Sequence, residues 1–541
     1  MSTSPAANRR NVMTIDQQGR KLWRRVAPTQ KAAFFSCLIA GYLVHLYAFT
    51  NLIPNSDGLS RVFDLQQMTV SGRWFLHYAS ALNGFTQMPA VIGLLSLIFL
   101  GLAAALAADL LRLRSVVLAG ISGVVMAAFP CLGYTFLYMF TASAYCLAIF
   151  LAVLSAWLAK RGKTGWLLGV VALALSMGTY QAYVTVAIAL SLLVVLRECL
   201  DPEADFKGTL RLGLRLAAYL AAGAVLYYAV LMVFLKVKDL ELLSYLGMDA
   251  ASSGYPFGQL PRLLFDTYKQ VIAFFFVPGY ANGFTNRWMA AADLLAFVLA
   301  AVFFLRLLGR KGLRKEVWRP VGALAMLVLL PLGINFSQIL SPYSVPTPLM
   351  KYAFVTIYLA VVLLADLADR LPHPEKGRAA AAVCAAVLLL VFVNTNNLLY
   401  TASDQAHRAT ESYATRLLAR IEDCPSYEPG MEIALVGAVP VDQIKSQIPS
   451  YAQVDHYSVP LNSVLPLNKH LYYYLNDWLN FPVEEPDEET MLAISDSPEF
   501  RAMALYPAQG SVQVLDGRVV VKLQEEYTPK SDFEIAYENR R

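Results

Sequence analysis

The stretch NLIPNSDGLSRVFDLQQMTVSGRW, residues 51–74, lies between two long apolar runs, at about 32–52 and 89–111. A run of about 20 apolar residues is long enough to cross the hydrocarbon of a bilayer. A charged stretch between two such runs is therefore a loop at a membrane surface. This one gathers Asp57, Arg61, Asp64, Arg73 and Trp74 between spans that carry few charges.

The rest of the chain repeats the pattern. Of 541 residues, 57% are hydrophobic and only 15% charged, against about 25% charged in an ordinary soluble protein. This composition defines a polytopic α-helical membrane protein. The net charge of +5 is small, so its placement matters more than its size. Residues 1–31 are polar and basic (Arg9, Arg10, Arg20, Lys21, Arg24, Arg25, Lys31), which makes this segment cytoplasmic by the positive-inside rule. The start MSTSPAANRR has no secretory-signal pattern, so the first apolar run stays as a span.

About eleven spans follow, near 32–52, 89–111, 115–130, 144–159, 165–178, 184–196, 213–235, 288–308, 320–340, 350–368 and 379–399. Every clear basic cluster then falls on the cytoplasmic side: Arg112 and Arg114, KRGK at 160–163, and RKGLRKEVWR at 310–319. On the other side lie the Asp57 loop, an aromatic loop PCLGYTFLYMFTAS (130–143), the turn GTYQAY (178–183), a long segment 236–287 and SPYSVPTPLMKY (341–352). Within 236–287, LPRLLFDTYKQVIAFFFVPGY is amphipathic and reads in part as a helix lying at the interface. From residue 401 the composition becomes that of a small extracytoplasmic α/β or α+β domain. MEIALVGAVP reads as a strand, KHLYYYLNDWLNF as an amphipathic helix, and GSVQVLDGRVVVKL as a hairpin about Asp516-Gly517. Only Cys424 of the six cysteines falls in that domain, so its own core must hold it together. The expected layout is a cytoplasmic segment 1–31, a transmembrane domain 32–400 and an extracytoplasmic domain 401–541.

Chemistry is read from the outer loops. Moving a sugar from a lipid phosphate needs a carboxylate to take the acceptor proton and cations to hold the departing phosphate. Asp57 fits the first role. Arg61, Arg73 and Lys351 fit the second, Arg as a bidentate donor and Lys as a point charge. Arg61, one helical turn on, would share a face with Asp57 or Asp64. The same Asp-Arg spacing also describes a plain ion pair or a cap. Trp74, Tyr134, Tyr138, Tyr180, Gln181, Gln338 and Tyr343 are candidate substrate contacts, although aromatics at span ends also serve as an interfacial belt. Asn335 belongs with Gln338, since polar residues at membrane depth face protein or a cavity. His77 reads as structural, and Asp293 and Asp366 as span-end residues or interhelical partners. No CxxC, HExxH or GxxxxGK[ST] is present, so no motif supports a metal site, a cofactor or nucleotide hydrolysis. A divalent cation remains compatible with phosphate chemistry, and no nucleic-acid partner is expected. A flippase for a lipid-linked glycan would need polar groups through the middle of several spans, and a non-catalytic envelope assembly protein would need only the outer domain.

NSDGLSR (55–61), SGRW (71–74) and GTYQAY (178–183) together resemble the bacterial Gtr type II glucosyltransferase family. The likeness extends over about residues 30–400. It implies a GT-C-like fold in the bacterial inner membrane and a polyprenyl-phosphate sugar donor, commonly of glucose. It also implies transfer to a cell-surface glycan such as O-antigen on the extracytoplasmic side, beside a flippase and a lipid-linked sugar synthase. GT-C enzymes carry an acid in the first outer loop, which here is Asp57. Where many have a second acid beside it, this chain has Gly58, and the next acid is Asp64.

Overall fold

The structure is a computed structural model. It describes residues 14–59, 65–242, 257–280, 283–309, 316–342, 346–369, 371–372, 374–439, 465 and 468–529. Arg61, Asp64 and Tyr343 lie outside the described residues.

After a basic surface helix, α1 (Ile15–Arg25), a helical bundle runs from α2 (Pro28–Thr50) through a short α3 (Leu76–Ser80), α4 (Pro89–Leu110), α5 (Val116–Ala128), α6 (Pro130–Leu137), α7 (Met139–Ala159), α8 (Gly162–Thr179), α9 (Val184–Cys199) and α10 (Phe206–Val237). It continues with α11 (Leu260–Phe276), α12 (Arg287–Leu308), α13 (Trp318–Ile334), α14 (Phe336–Leu340), α15 (Thr356–Ala368) and α16 (Pro374–Glu422). Among the described residues, nine helices are long and apolar enough to cross a membrane. Leu43, Val225, Val233, Leu305 and Leu390 stand exposed on helix faces. Such an apolar exterior is a liability in water and the natural surface of a bundle in hydrocarbon.

Residues 130–143, expected as an aromatic outer loop, are instead helical and almost wholly buried: α6 and the start of α7. The reason lies at Pro130, which has no N–H and ends α5. The three carbonyls orphaned at that break take donors from distant helices. Tyr352 hydroxyl donates to Met126 O at 2.9 Å, His45 Nε2 to Ala127 O at 2.8 Å, and Asn396 amide to Ala128 O at 3.0 Å. A carbonyl can only accept, so His45 carries its proton on Nε2, and Nδ1 accepts from Tyr400 hydroxyl at 2.7 Å. With its backbone satisfied, the chain can turn inside the bundle.

The seventh span begins earlier than its apolar run. Asp205 caps α10 by accepting from Gly208 N at 2.9 Å, so residues 206–212, expected in a loop, are helix. In the expected interfacial segment, α11 buries Leu263, Thr267, Val271, Phe274 and Phe275, and Tyr268 hydroxyl donates to Val328 O at 2.6 Å. It therefore docks on the bundle along that face, while Phe265 and Ile272 stay exposed.

The boundary expected at residue 400 falls inside α16, which runs on without a break. Its first part buries Cys384, Leu388 and Phe392 in the bundle, and its last turns bury Tyr413, Leu417 and Ile421 in a second core. That core covers a three-stranded sheet, β1 (Ile433–Val436), β2 (Val512–Leu515) and β3 (Arg518–Lys522), in the order β1-β3-β2. β1 pairs parallel with β3, and β2 antiparallel with it. The expected hairpin is present: Asp516 (φ 49°) and Gly517 (φ 75°) make a turn that needs both residues left-handed. All six cysteines are free.

Candidate active site

Helix alternation gives the bundle two ends. One carries residues 51–59 and 65–88, the 178–183 turn and the approach to α15, and is here the loop end. The other carries the basic clusters.

At the loop end the chain leaves α2 and makes a short turn, Ser56–Gly58, that presents Asp57 as an exposed side chain. The turn is pinned from three sides. Asn55 accepts from Gly58 N at 2.9 Å and donates to the Leu137 carbonyl. Gln87 donates to the Gly58 carbonyl at 2.8 Å. Phe140 lies under Gly58, so that a Cβ there would sit 3.2 Å from its ring. The Asp57 turn thus rests on the junction of α6 and α7, which also holds Tyr134 and Tyr138. Two residues on, Leu59 is fully buried in the core of the C-terminal region, an anchor worth about 1.5–3 kcal/mol for a leucine.

The SGRW segment meets the GTYQAY turn directly. Phe75 N donates to Gly178 O at 2.7 Å. Gln181 donates to Ser71 O at 2.8 Å and to Tyr227 hydroxyl at 3.0 Å, and Tyr227 hydroxyl donates to Gly72 O at 3.1 Å. Trp74 is buried, stacked on Phe234 at 5.7 Å, with Gly178 against its indole. A Cβ at 178 would lie 2.6 Å from that ring, so only glycine fits.

This clamp aims Arg73. Its guanidinium donates to Tyr145 hydroxyl at 3.2 Å and lies 4.8 Å over the Tyr180 ring, which itself stacks on Tyr145 at 4.5 Å. A guanidinium and two stacked tyrosines therefore meet at the end of the bundle that also carries Asp57. Tyr180, read from sequence as a belt residue or a substrate contact, is buried rather than at the lipid boundary.

Lys351 sits in the turn Pro348–Val355 that opens α15, buried, with its ammonium 5.6 Å over Phe274 and 5.2 Å over Tyr280. That turn packs on α6 and on the 181–183 turn. Gln338 donates to Pro342 O at 3.2 Å, and Asn335 to Gln270 at 3.0 Å, on the α11 side of the same end. His77 holds Leu65 O through Nδ1 at 2.6 Å and stacks on Phe85. Asp366 accepts from Arg114 N and Ser115 N at 3.0 and 2.9 Å, bracing the start of α5 from the other end of the bundle. Asp293 accepts from Tyr358 hydroxyl at 2.6 Å. Tyr145, Tyr227 and Gln87 had no signal in sequence, and Asn55 showed only as the first residue of NSDGLSR. Tyr145 lies in the apolar run FTASAYCLAIF, where a tyrosine reads as core.

These side chains lie at one end of a helical bundle whose long apolar helices suit a membrane. A family model described as Glucosyl transferase GtrII matches residues 46–365, and the chain belongs to that family. The matched segment takes in the Asp57 turn, SGRW, GTYQAY and Lys351, and ends before the C-terminal region. A search of curated proteins found no match to the chain. Family and fold together make this a membrane glucosyltransferase.

Proposed function

We propose that the chain is a GT-C-type enzyme of the bacterial inner membrane. It moves glucose from a polyprenyl-phosphate-linked donor to a hydroxyl of a cell-surface glycan such as O-antigen. Its spans number eleven, the nine long helices plus Gly162–Thr179 and Trp318–Ile334. The N-terminus is cytoplasmic, and the loop end and the C-terminal region 401–541 face the extracytoplasmic side. A flippase and a lipid-linked sugar synthase supply the donor.

The acceptor oxygen attacks C1 of the glucosyl unit, and the bond from C1 to the phosphate oxygen breaks. The electron pair leaves with polyprenyl phosphate, and the acceptor proton passes to the Asp57 carboxylate. Arg73 and Lys351 hold the phosphate as its charge develops, with Arg61 in the same role. Asp64 is the second acid, and Trp74, Tyr134, Tyr138, Tyr180, Gln181, Gln338 and Tyr343 shape the site. The balance closes without a cofactor. One observation supports this most: Arg73, bonded to Tyr145 and stacked over Tyr180, sits at the same end of the bundle as the exposed Asp57, where the motif segments interlock.

The test is transfer in detergent. Purified protein is given polyprenyl-phosphate glucose with labelled sugar and glycan released from the cells that make the protein. Label in the glycan is expected, and Asp57→Asn should slow it by about 10²–10⁴-fold, the usual worth of a general base. Detergent leaves no sealed compartment, so a flippase or an assembly protein would give no labelled glycan, and that result would overturn the reading.

A further inference from the structure

The C-terminal region, outside the family-matched segment, contains an unusual helical turn. After Asn468–Tyr473 the chain winds as a π-helix over Tyr474–Trp478. A π turn weakens its own hydrogen bonds and tends to occur where a side chain must be re-aimed. Here it brings the Tyr474 and Trp478 rings parallel, at 3° and 6.2 Å between centroids. His407, from α16, packs edge-on against both, at 6.1 and 5.5 Å, with Nδ1 3.4 Å from the Tyr474 hydroxyl. Tyr474 is buried, Trp478 half-buried, and Asp477 beside it exposed. The Trp478 indole N–H has no hydrogen-bond partner among the described residues.

The placement of this shelf is as telling as its chemistry. Asp404 and Arg408, the latter next to His407, form an ion pair at 2.8 Å, and both charges act on Tyr47 near the end of α2. From that point the chain runs into the Asp57 turn. Leu59, two residues past Asp57, shares a core with Tyr474 and Leu475. The shelf therefore shares its core with the segment that follows the Asp57 turn.

A pyranose ring has an apolar face of C–H bonds and a rim of hydroxyls. It suits a flat indole with a spare N–H and polar neighbours, because the face stacks while the rim hydrogen-bonds. We propose that Trp478, backed by Tyr474 and edged by His407, is a subsite that holds a sugar ring of the acceptor glycan and feeds its hydroxyl to Asp57. This rests on the transferase reading above, and it assigns acceptor choice to the region beyond the matched segment.

The experiment has two arms, both using full-length protein in detergent. In the first, binding of oligosaccharide released by mild acid from the surface glycan of the producing cells is measured without donor, by saturation-transfer NMR. Wild type is expected to bind. Trp478→Ala should weaken binding about tenfold, equivalent to about 1.4 kcal/mol, and Trp478→Phe, which keeps a ring but not the N–H, should fall between them. In the second, glucose transfer is followed, and Trp478→Ala should raise the acceptor KM by a similar factor with the donor KM unmoved. Equal glycan binding by wild type and Trp478→Ala would overturn the subsite. So would a parallel change in both KM values, which marks a merely structural role. Should Trp478→Ala fail to fold, His407→Gln is expected to show the same acceptor-selective loss. Trp478-dependent binding without any transfer would keep the subsite and remove the enzyme reading, so the two can fail separately.

Discussion

The two ends of the bundle hold their cations differently. At the basic end they meet carboxylates and carbonyls. Glu198 takes Arg112 at 3.3 Å and Lys160 at 3.6 Å, and Arg197 reaches Asp201 at 3.4 Å. Arg319 donates to the Asp201 and Ala204 carbonyls and pairs with Glu316 at 3.1 Å. Arg161 pairs with Asp109 at 2.9 Å. At the loop end, Arg73 lies over Tyr180, and Lys351 over Phe274 and Tyr280. A carboxylate positions a cation by charge, and an aromatic face positions it through its ring quadrupole. The first arrangement ties helices together, and the second sets cation–ring contacts at the end that carries the motif segments. Arg197, Asp201 and Arg319 are buried, and removing one partner of a buried pair is costly, so changes at the basic end should be felt in stability and those at the loop end in transfer.

That contrast can be broken by substitution. After loss of the Asp57 carboxylate, the largest effect is expected from Arg73→Lys. The charge remains, but the planar stack on Tyr180 and the reach to Tyr145 go, and kcat/KM should fall about 10–100-fold through the donor KM. Steady-state kinetics with the donor varied would show it; unchanged donor kinetics would mean Arg73 is structural. Next comes Gly178→Ala. Its Cβ would press on Trp74, and overpacking of this kind costs about 1–3 kcal/mol, read as a lower melting temperature in detergent together with lost transfer, because SGRW moves. The smallest effect belongs to the basic end. Asp366→Asn keeps an acceptor for Arg114 N and Ser115 N and loses only the charge, so stability should drop by about 1 kcal/mol or less with transfer untouched. A larger loss of transfer from Asp366→Asn than from Arg73→Lys would invert the comparison.

Much of this was legible in the sequence, because span length and basic clusters are local signals. Apolar runs marked the membrane helices, Asp516-Gly517 marked its hairpin, and the Asp57 loop stood out by charge. The break at Pro130 was misread because an aromatic run after a proline looks like a loop. Its helical outcome depends on His45, Tyr352 and Asn396, residues far apart in the chain that reach one set of carbonyls. The continuity of α16 was hidden for the opposite reason. Its composition changes at 400 while its helical spacing does not. The convergence of SGRW with GTYQAY was visible only as two motifs, since the hydrogen bonds of Gln181 and Tyr227 span 46 to 155 residues. Tyr145 was invisible, because a tyrosine in an apolar helix gives no sign that a guanidinium will meet it.

The most direct measurement is the initial rate of glucose transfer by Asp57→Asn and Asp366→Asn, prepared side by side in the same detergent at equal folded protein. The account predicts near-complete loss at residue 57 and a rate close to wild type at residue 366. Normal transfer by Asp57→Asn would contradict it.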